Sequence, residues 1–253
     1  MLRTIYGFTY MWLYLLYSIP TLIKWKSSTF EHVSTQERDN LVHCLPKRWA
    51  KGVVKTTGAH VTVKGEDLLP KGPVLFVSNH QGNFDIPLLM GYVNKPLGFI
   101  SKIEVKKLPI ISHWMEVLPC IFMDRNDRRQ SVRAIQEGAR LLEKGHSMVI
   151  FPEGTRSKGG PVASFKSGSF RLATKSGVPI VPITIDGSYR LFEDKGFQFQ
   201  PGDVTITIHS PIEYNEYENI EINELAILVQ QKIASHIVVN VELHNHSSLS
   251  LDQ

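Results

Sequence analysis

Two short segments of this 253-residue chain carry residue types able to move a proton and hold an anion. The first is Asn79-His80-Gln81-Gly82-Asn83-Phe84-Asp85. The second, about 70 residues further on, is Phe151-Pro152-Glu153-Gly154-Thr155-Arg156. Imidazole titrates near working pH, so His80 can act as a general base toward a hydroxyl. Asp85, five residues on, can fold back to accept from the other ring nitrogen, fixing the tautomer and stabilising the imidazolium. With ten His and nine Asp in the chain, chance gives about 0.4 pairs at this spacing, so the pair alone reads as a turn histidine beside a helix-capping aspartate.

The second segment changes that balance. Pro152 ends a strand, Gly154 permits a close backbone approach, and Thr155 and Arg156 offer hydroxyl and guanidinium donors. The planar fork of Arg156 suits a phosphate. Glu153 can accept from a hydroxyl or orient Arg156; read blandly, the two are a surface ion pair on a turn. Arg125 closes another strand-like run, and Lys102 lies on the segment before it. If these strands are parallel neighbours, Arg125, Lys102 and Arg156 converge with His80 on one carboxyl-end rim, where open α/β sheets bind ligands. Lys106 and Lys107 read as solvent-facing, and Arg128, Arg129 and Arg133 as the wet face of a helix. Phe165-Lys166-Ser167-Gly168 opens a helix whose N-terminus offers a further anion site.

Other chemistries find little support. Val77-Ser78-Asn79-His80 is not a nucleophile elbow, so a serine hydrolase is disfavoured and direct attack by an acceptor hydroxyl on a thioester fits better. No phosphate-binding loop or dinucleotide fingerprint occurs, and nothing points to nucleic acid as a partner. The remaining histidines show no metal spacing. Cys44 and Cys120 form no disulfide framework and agree with a reducing compartment; Cys120 reads as a small buried hydrophobe. The net charge of +4 and pI of about 9.0 fit an anionic partner as readily as a mildly basic protein.

The elements that must position these residues follow from periodicity. Apolar runs at Ala59–Val63, Val74–Ser78, Leu97–Ile100, Cys120–Met123, Met148–Phe151, Ile180–Ile185 and Val204–Ile208 read as strands. Asn83 or Asp85 caps a helix through Pro87–Met90, residues 128–143 carry helical spacing, and residues 222–239 form a closing amphipathic helix. Strand and helix alternate, which predicts an α/β sandwich. From Thr4 to Ile23 no side chain is charged and 14 of 20 are apolar. A helix of that length reaches about 30 Å, enough to cross the hydrocarbon core. Its many tyrosines and Trp12 prefer the headgroup boundary and Pro20 would kink its end, so a span and an interfacial helix both stand. The expected organisation is a membrane-associated helical segment over 1–52, one domain over 53–242 and a polar tail over 243–253.

Four blocks, NHQGNFD (79–85), IFMDR (121–125), FPEGTRS (151–157) and VPITI (181–185), resemble the glycerolipid acyltransferase family in order and spacing. The resemblance spans about residues 60 to 210. It implies a mixed, largely parallel sheet flanked by helices, and acyl transfer to 1-acylglycerol 3-phosphate giving phosphatidic acid. His80 would be the base and Asp85 its partner. Arg125 and Arg156 would grip phosphate with help from Lys102, while Glu153, Gly154 and Thr155 would shape the acceptor site and Val181-Pro182-Ile183 an acyl channel. Family members use acyl-CoA or acyl-acyl-carrier protein as co-substrate, need no metal or other cofactor, and work on membrane lipids at the cytosolic face, here a bacterial inner membrane. Another acceptor, such as glycerol 3-phosphate or a lysophospholipid, and a non-catalytic lipid-binding protein are the competing readings.

Overall fold

A computed structural model of the chain describes residues 1–30, 32–124 and 126–237. Three helices come first: α1 (Leu2–Tyr17), α2 (Ile19–Ser27) and α3 (Thr35–Thr57). They are followed by β1 (His60–Lys64), β2 (Leu75–Ser78), α4 (Asp85–Tyr92), β3 (Gly98–Lys102), α5 (Ile111–Val117) and β4 (Ile121–Met123). Then come α6 (Arg128–Glu143), β5 (Met148–Ile150), α7 (Arg171–Ser176), β6 (Ile180–Asp186), β7 (Asp203–Ile208), α8 (Tyr214–Tyr217) and α9 (Ile222–Ala234).

The strands form one sheet in the order β1-β7-β6-β2-β5-β3-β4. From β6 to β4 every neighbouring pair is parallel; β7 runs antiparallel to β6, and β1 is parallel to β7. The sheet is therefore mixed and largely parallel, as its apolar runs require. A strand covered on both faces needs apolar residues throughout, and the pleat sends alternate ones to opposite layers. In β2, Phe76 joins the core under α3 and α4, while Leu75 and Val77 join the core under α6, α7 and α9. Val149 of β5 faces the first core; Met148 and Ile150 face the second. Val181 and Ile183 of β6 are wholly buried in the first core.

Local chemistry fixes several boundaries. Ser34 and Glu37 form a capping box at the start of α3, and Gly58 ends it in the left-handed region at φ 78°. Asp127 caps α6 by accepting from the N–H groups of Arg129 and Gln130. The closing helix stops at Ala234, earlier than its apolar pattern extends; Val239 and the tail over 243–253 lie outside the described residues.

The N-terminal apolar run does not form the single long helix that would bring a span into reach. The two helices α1 and α2 meet at Ser18, whose hydroxyl donates to Leu15 O and accepts from Trp114 Nε1. Pro20 sits in the first turn of α2, where its missing N–H costs nothing. Among the described residues no helix is long and apolar enough to cross a membrane. The outer faces of α1 and α2 nevertheless leave Leu2, Ile5, Leu13, Leu16, Tyr17 and Ile23 exposed. The inner face of α1 packs on the domain, with Tyr10 against Gly52 and Gly7 against Phe199.

Candidate active site

β2 delivers His80 to the carboxyl-end rim of the sheet. Asn79 first anchors the chain, donating from Nδ2 to Ile185 O (2.8 Å) and accepting at Oδ1 from Ile185 N (2.8 Å), so its amide extends the β2–β6 pairing by one side chain. The imidazole of His80 then turns toward α4. Its Nδ1 lies 2.6 Å from Oδ2 of Asp85, which is wholly buried. Asp85 Oδ2 also accepts from Gly82 N (2.9 Å), and Oδ1 accepts from the Ser188 hydroxyl. The helix cap is Phe84, without a side-chain hydrogen bond. Asp85 is thus no cap: its carboxylate is committed to His80, to the Gly82 turn and to Ser188. A carboxylate so satisfied holds the proton on Nδ1 and leaves Nε2 as the basic nitrogen. Among the described residues Nε2 makes no hydrogen bond, and the His80 side chain is 14 % exposed.

The second segment lies beside the first because β2 and β5 are parallel neighbours with Val77 opposite Ile150. Phe151 stacks on the imidazole, with ring centroids 4.3 Å apart. Glu153 is buried and its two oxygens accept from His80 N (2.7 Å) and Ala163 N (2.9 Å). Burial raises its carboxyl above the usual range, and the two N–H donors oppose that shift. The chain turns at Gly154, φ 72°, and returns along the first segment: Ser157 N donates to His80 O and Lys158 N to Gln81 O. The orienting partners of Arg156 are Asn83, whose Oδ1 accepts from Nη1, and Glu193, 3.8 Å away. Glu153 is not among them.

The rim gathers the other predicted cations less tightly. Thr155 is exposed beside Arg156. Lys102 is exposed at the end of β3, two strands from β2 and so about 10 Å to the side. Arg125 lies outside the described residues. Cys120, expected to be buried, is half-buried against the first core; its thiol is pushed up to about 12 by burial, with Phe99 N donating to its sulfur. Among the described residues there is no group of three or more metal-ligating side chains.

Three participants escape sequence reasoning. Gln81 Oε1 accepts from Gly187 N (2.9 Å) and Ser188 N (3.2 Å), tying the His80 turn to the end of β6. Ser188, wholly buried, completes the shell of Asp85. Glu193 accepts from Asn83 N (2.7 Å) and faces Arg156, while its Oε2 is buried without a partner among the described residues. Burial raises its carboxyl too. A Cβ on Gly82 would stand 2.6 Å from that carboxylate, so the glycine makes room for it. Ser188 follows a strand whose pairing with β2 puts it near His80, a weak signal; Glu193 sits in a loop with none.

The comparisons place the fold and the sequence in one family. The acyltransferase family model matches residues 60–186, from β1 to the end of β6. A 1-acyl-sn-glycerol-3-phosphate acyltransferase of Chlamydomonas reinhardtii is 37 % identical over 180 residues, covering 70 % of this chain and 53 % of that one. A probable 1-acyl-sn-glycerol-3-phosphate acyltransferase of Mycoplasma genitalium is 30 % identical over 184 residues, 67 % of each chain. The chain spans about half the length of the first curated relatives it matches. The crystal structure of the 1-acyl-sn-glycerophosphate acyltransferase PlsC from Thermotoga maritima superposes with a TM-score of 0.79 at 30 % identity, over 92 % of both chains. With one family model matching half of its length around the paired His80 and Asp85, and a relative matched over two thirds of both chains, this chain belongs to the acyltransferase family.

Proposed function

We propose that the chain transfers a fatty acyl group from an acyl thioester to the sn-2 hydroxyl of 1-acylglycerol 3-phosphate, giving phosphatidic acid. The observation that carries this reading is the 2.6 Å contact from His80 Nδ1 to a wholly buried Asp85, with Nε2 unpartnered among the described residues. The names of the relatives supply the acceptor. In the proposed step Nε2 removes the hydroxyl proton as the oxygen attacks the thioester carbonyl. The tetrahedral intermediate collapses by breaking the C–S bond, and the departing thiolate takes the proton back from the imidazolium. No protein acyl intermediate is needed, and the Ser78 hydroxyl is buried, donating to Asn79 O.

Arg156 binds the acceptor phosphate, with Arg125 as a second guanidinium, Lys102 as an outer cation and Thr155 as a hydroxyl donor. Glu153 and Gly154 shape the site through the backbone they hold rather than by touching the acceptor. The exposed apolar faces of α1 and α2 support membrane association, on the cytosolic face where lyso-lipid and thioester meet. The test is acylation by the protein in vesicles, with acyl-CoA and acyl-acyl-carrier protein as donors across a panel of lyso-lipid acceptors, following thiol release and lipid product. Phosphatidic acid from lysophosphatidic acid is expected; no acylation of any lyso-lipid would sink the reading.

A further inference from the structure

A single stretch after β6 reaches over both motifs of the site. Gly187 N and Ser188 N donate to Gln81 Oε1, the Ser188 hydroxyl donates to Asp85, and Glu193 accepts from Asn83 N at 2.7 Å. The far end of this stretch is pinned twice. Glu193 N donates to Tyr189 O (2.9 Å), and the Phe192 ring packs edge-on to Phe84, the residue between Asn83 and Asp85. The Glu193 side chain is accordingly held out of water, 2 % exposed.

A carboxylate that served structure alone would have both oxygens bonded, because an unsatisfied buried oxygen costs stability. Here Oε1 is used by Asn83 N, and Oε2 is buried without a hydrogen-bond partner among the described residues. Gly82 leaves the room that the group fills, since a Cβ there would stand 2.6 Å from Oε2. Burial raises the carboxyl; the Asp85 charge adds to that shift, and the Asn83 N–H and Arg156 oppose it. The one cation within 4.0 Å among the described residues is Arg156, 3.8 Å from Oε1. That is attraction at a standoff. Oε1 is committed to Asn83 N, and Arg156 Nη1 to Asn83 Oδ1, so the two charges do not close into a hydrogen-bonded pair. The other guanidinium donors stay open to a ligand, while the charge behind them is partly offset.

We propose that Glu193 is a positioning residue that weakens the hold of Arg156 on phosphate, so that phosphatidate leaves as readily as lysophosphatidate arrives. This rests on the acyltransferase reading, in which the reacting hydroxyl gains an acyl group and the phosphate is untouched. Reactant and product therefore offer Arg156 the same group. Any strengthening of that grip binds both alike, lowers KM without raising kcat, and slows the departure of the product. A phosphate monoester carries about 1.5–2 negative charges. At this site it meets a guanidinium already shared with a fixed carboxylate, and that carboxylate repels it. Asn83 joins the two groups, its N–H on Glu193 and its Oδ1 on Arg156, so the offset is applied within the turn that carries His80 and Asp85.

The test is Glu193→Gln in the full chain. The amide keeps an acceptor for Asn83 N and replaces an oxygen that has no hydrogen bond to lose, so the charge is what is removed. Binding of dihexanoyl-phosphatidic acid, a soluble form of the product, is measured calorimetrically at pH 8, and acylation is followed at varied lysophosphatidate with phosphatidate added as inhibitor. The variant should bind dihexanoyl-phosphatidic acid about five- to tenfold more tightly than the wild type. Its KM for lysophosphatidate and its inhibition constant for phosphatidate should fall by the same factor, with the KM for a monoacylglycerol unmoved. Adding Arg156→Ala should erase the gain, because both side chains act through one guanidinium. Glu193→Ala also removes the charge and should show the same gain in affinity, now with a lower kcat from the freed Asn83 N–H. A residue that only braces the turn predicts the opposite sign, since damage to the turn does not tighten binding. Unchanged or weakened binding of dihexanoyl-phosphatidic acid in both Glu193 variants would overturn the proposal. So would a gain that survives Arg156→Ala, or one that extends equally to the monoacylglycerol. If no acceptor is acylated, the acyltransferase reading fails, while tighter binding of dihexanoyl-phosphatidic acid by the variants would still uphold the role of Glu193 toward phosphate.

Discussion

Glu153 accepts a hydrogen bond from the backbone N–H of His80 at 2.7 Å, and strand register is the cause: Val77 is paired with Ile150, and each residue lies three positions further along its own strand. The carboxylate that opens the turn toward Arg156 therefore holds the His80 backbone in place. Its second oxygen reaches Ala163 N, so one side chain ties three stretches of loop together.

Glu153→Gln tests that role. The amide keeps one acceptor oxygen but turns an NH2 toward the other backbone N–H, leaving two donors facing each other. A buried unsatisfied group costs about 1–3 kcal/mol, which should appear in urea unfolding. The displaced His80 backbone should lower kcat at least about tenfold, with the KM for lysophosphatidate little altered. A variant with normal kcat and a raised acceptor KM would instead place Glu153 against the substrate.

Asp85→Asn should leave the fold intact and lower kcat by about 10⁴-fold, the scale seen when a triad carboxylate can no longer fix its imidazole tautomer. His80→Ala should fall at least as far, and adding Asp85→Asn to it should cost almost nothing more, because the two act as a unit. Thiol release at saturating donor and acceptor reads all three variants. An additive double variant would mean that Asp85 acts apart from the imidazole.

The sheet and the facing of its two motifs were legible from apolar runs, because a doubly covered parallel strand cannot hide its composition. Residues 128–143 were legible as well, since their spacing and the Asp127 cap agree. Less was readable where tertiary contacts decide. The apolar run over 4–23 divides at Ser18, close to the kink that Pro20 announces, but the bond from Trp114 Nε1 to the Ser18 hydroxyl, 96 residues away, has no local signal. The pairing of Asp85 with His80 is expected from their spacing, but not the Gly82 N–H and Ser188 hydroxyl that also bind its carboxylate. Glu193 lies 110 residues from the Asn83 N–H it accepts from, and no local pattern announces it.

Two histidines far from the chemistry should govern acid stability. Burial pushes His43 and His209 down to about 4, and His43 Nε2 has no hydrogen-bond partner among the described residues. Unfolded, each binds a proton below about 6.5. Unfolding therefore takes up protons between these values, so stability is full above about pH 6.5 and falls as pH drops toward 4. The limiting slope for two groups is about 2.7 kcal/mol per pH unit. Urea unfolding at pH 7, 6 and 5 should show the decline, and His43→Leu should flatten it by about half. An unchanged slope would mean that His43 is protonated in the folded chain.

Arg156 should fail differently from His80. Its guanidinium is 38 % exposed, held by Asn83 on one side and by the Glu193 carboxylate 3.8 Å away on the other, so a free N–H edge remains for a phosphate. A charge-assisted hydrogen bond is worth about 1.5–3 kcal/mol, which converts to a roughly 10- to 150-fold rise in KM when Arg156 is changed to Ala. That rise should appear with lysophosphatidic acid and be nearly absent with a monoacylglycerol, which has the hydroxyl but no phosphate. His80→Ala should abolish turnover of both, because each acceptor needs its proton removed. Asn83→Ala provides an intermediate case: it frees Nη1 without removing the charge, so the penalty on lysophosphatidic acid should be only severalfold. Equal loss on both acceptors in Arg156→Ala would show that the guanidinium supports the His80 turn through Asn83, and that the phosphate is held elsewhere on the rim.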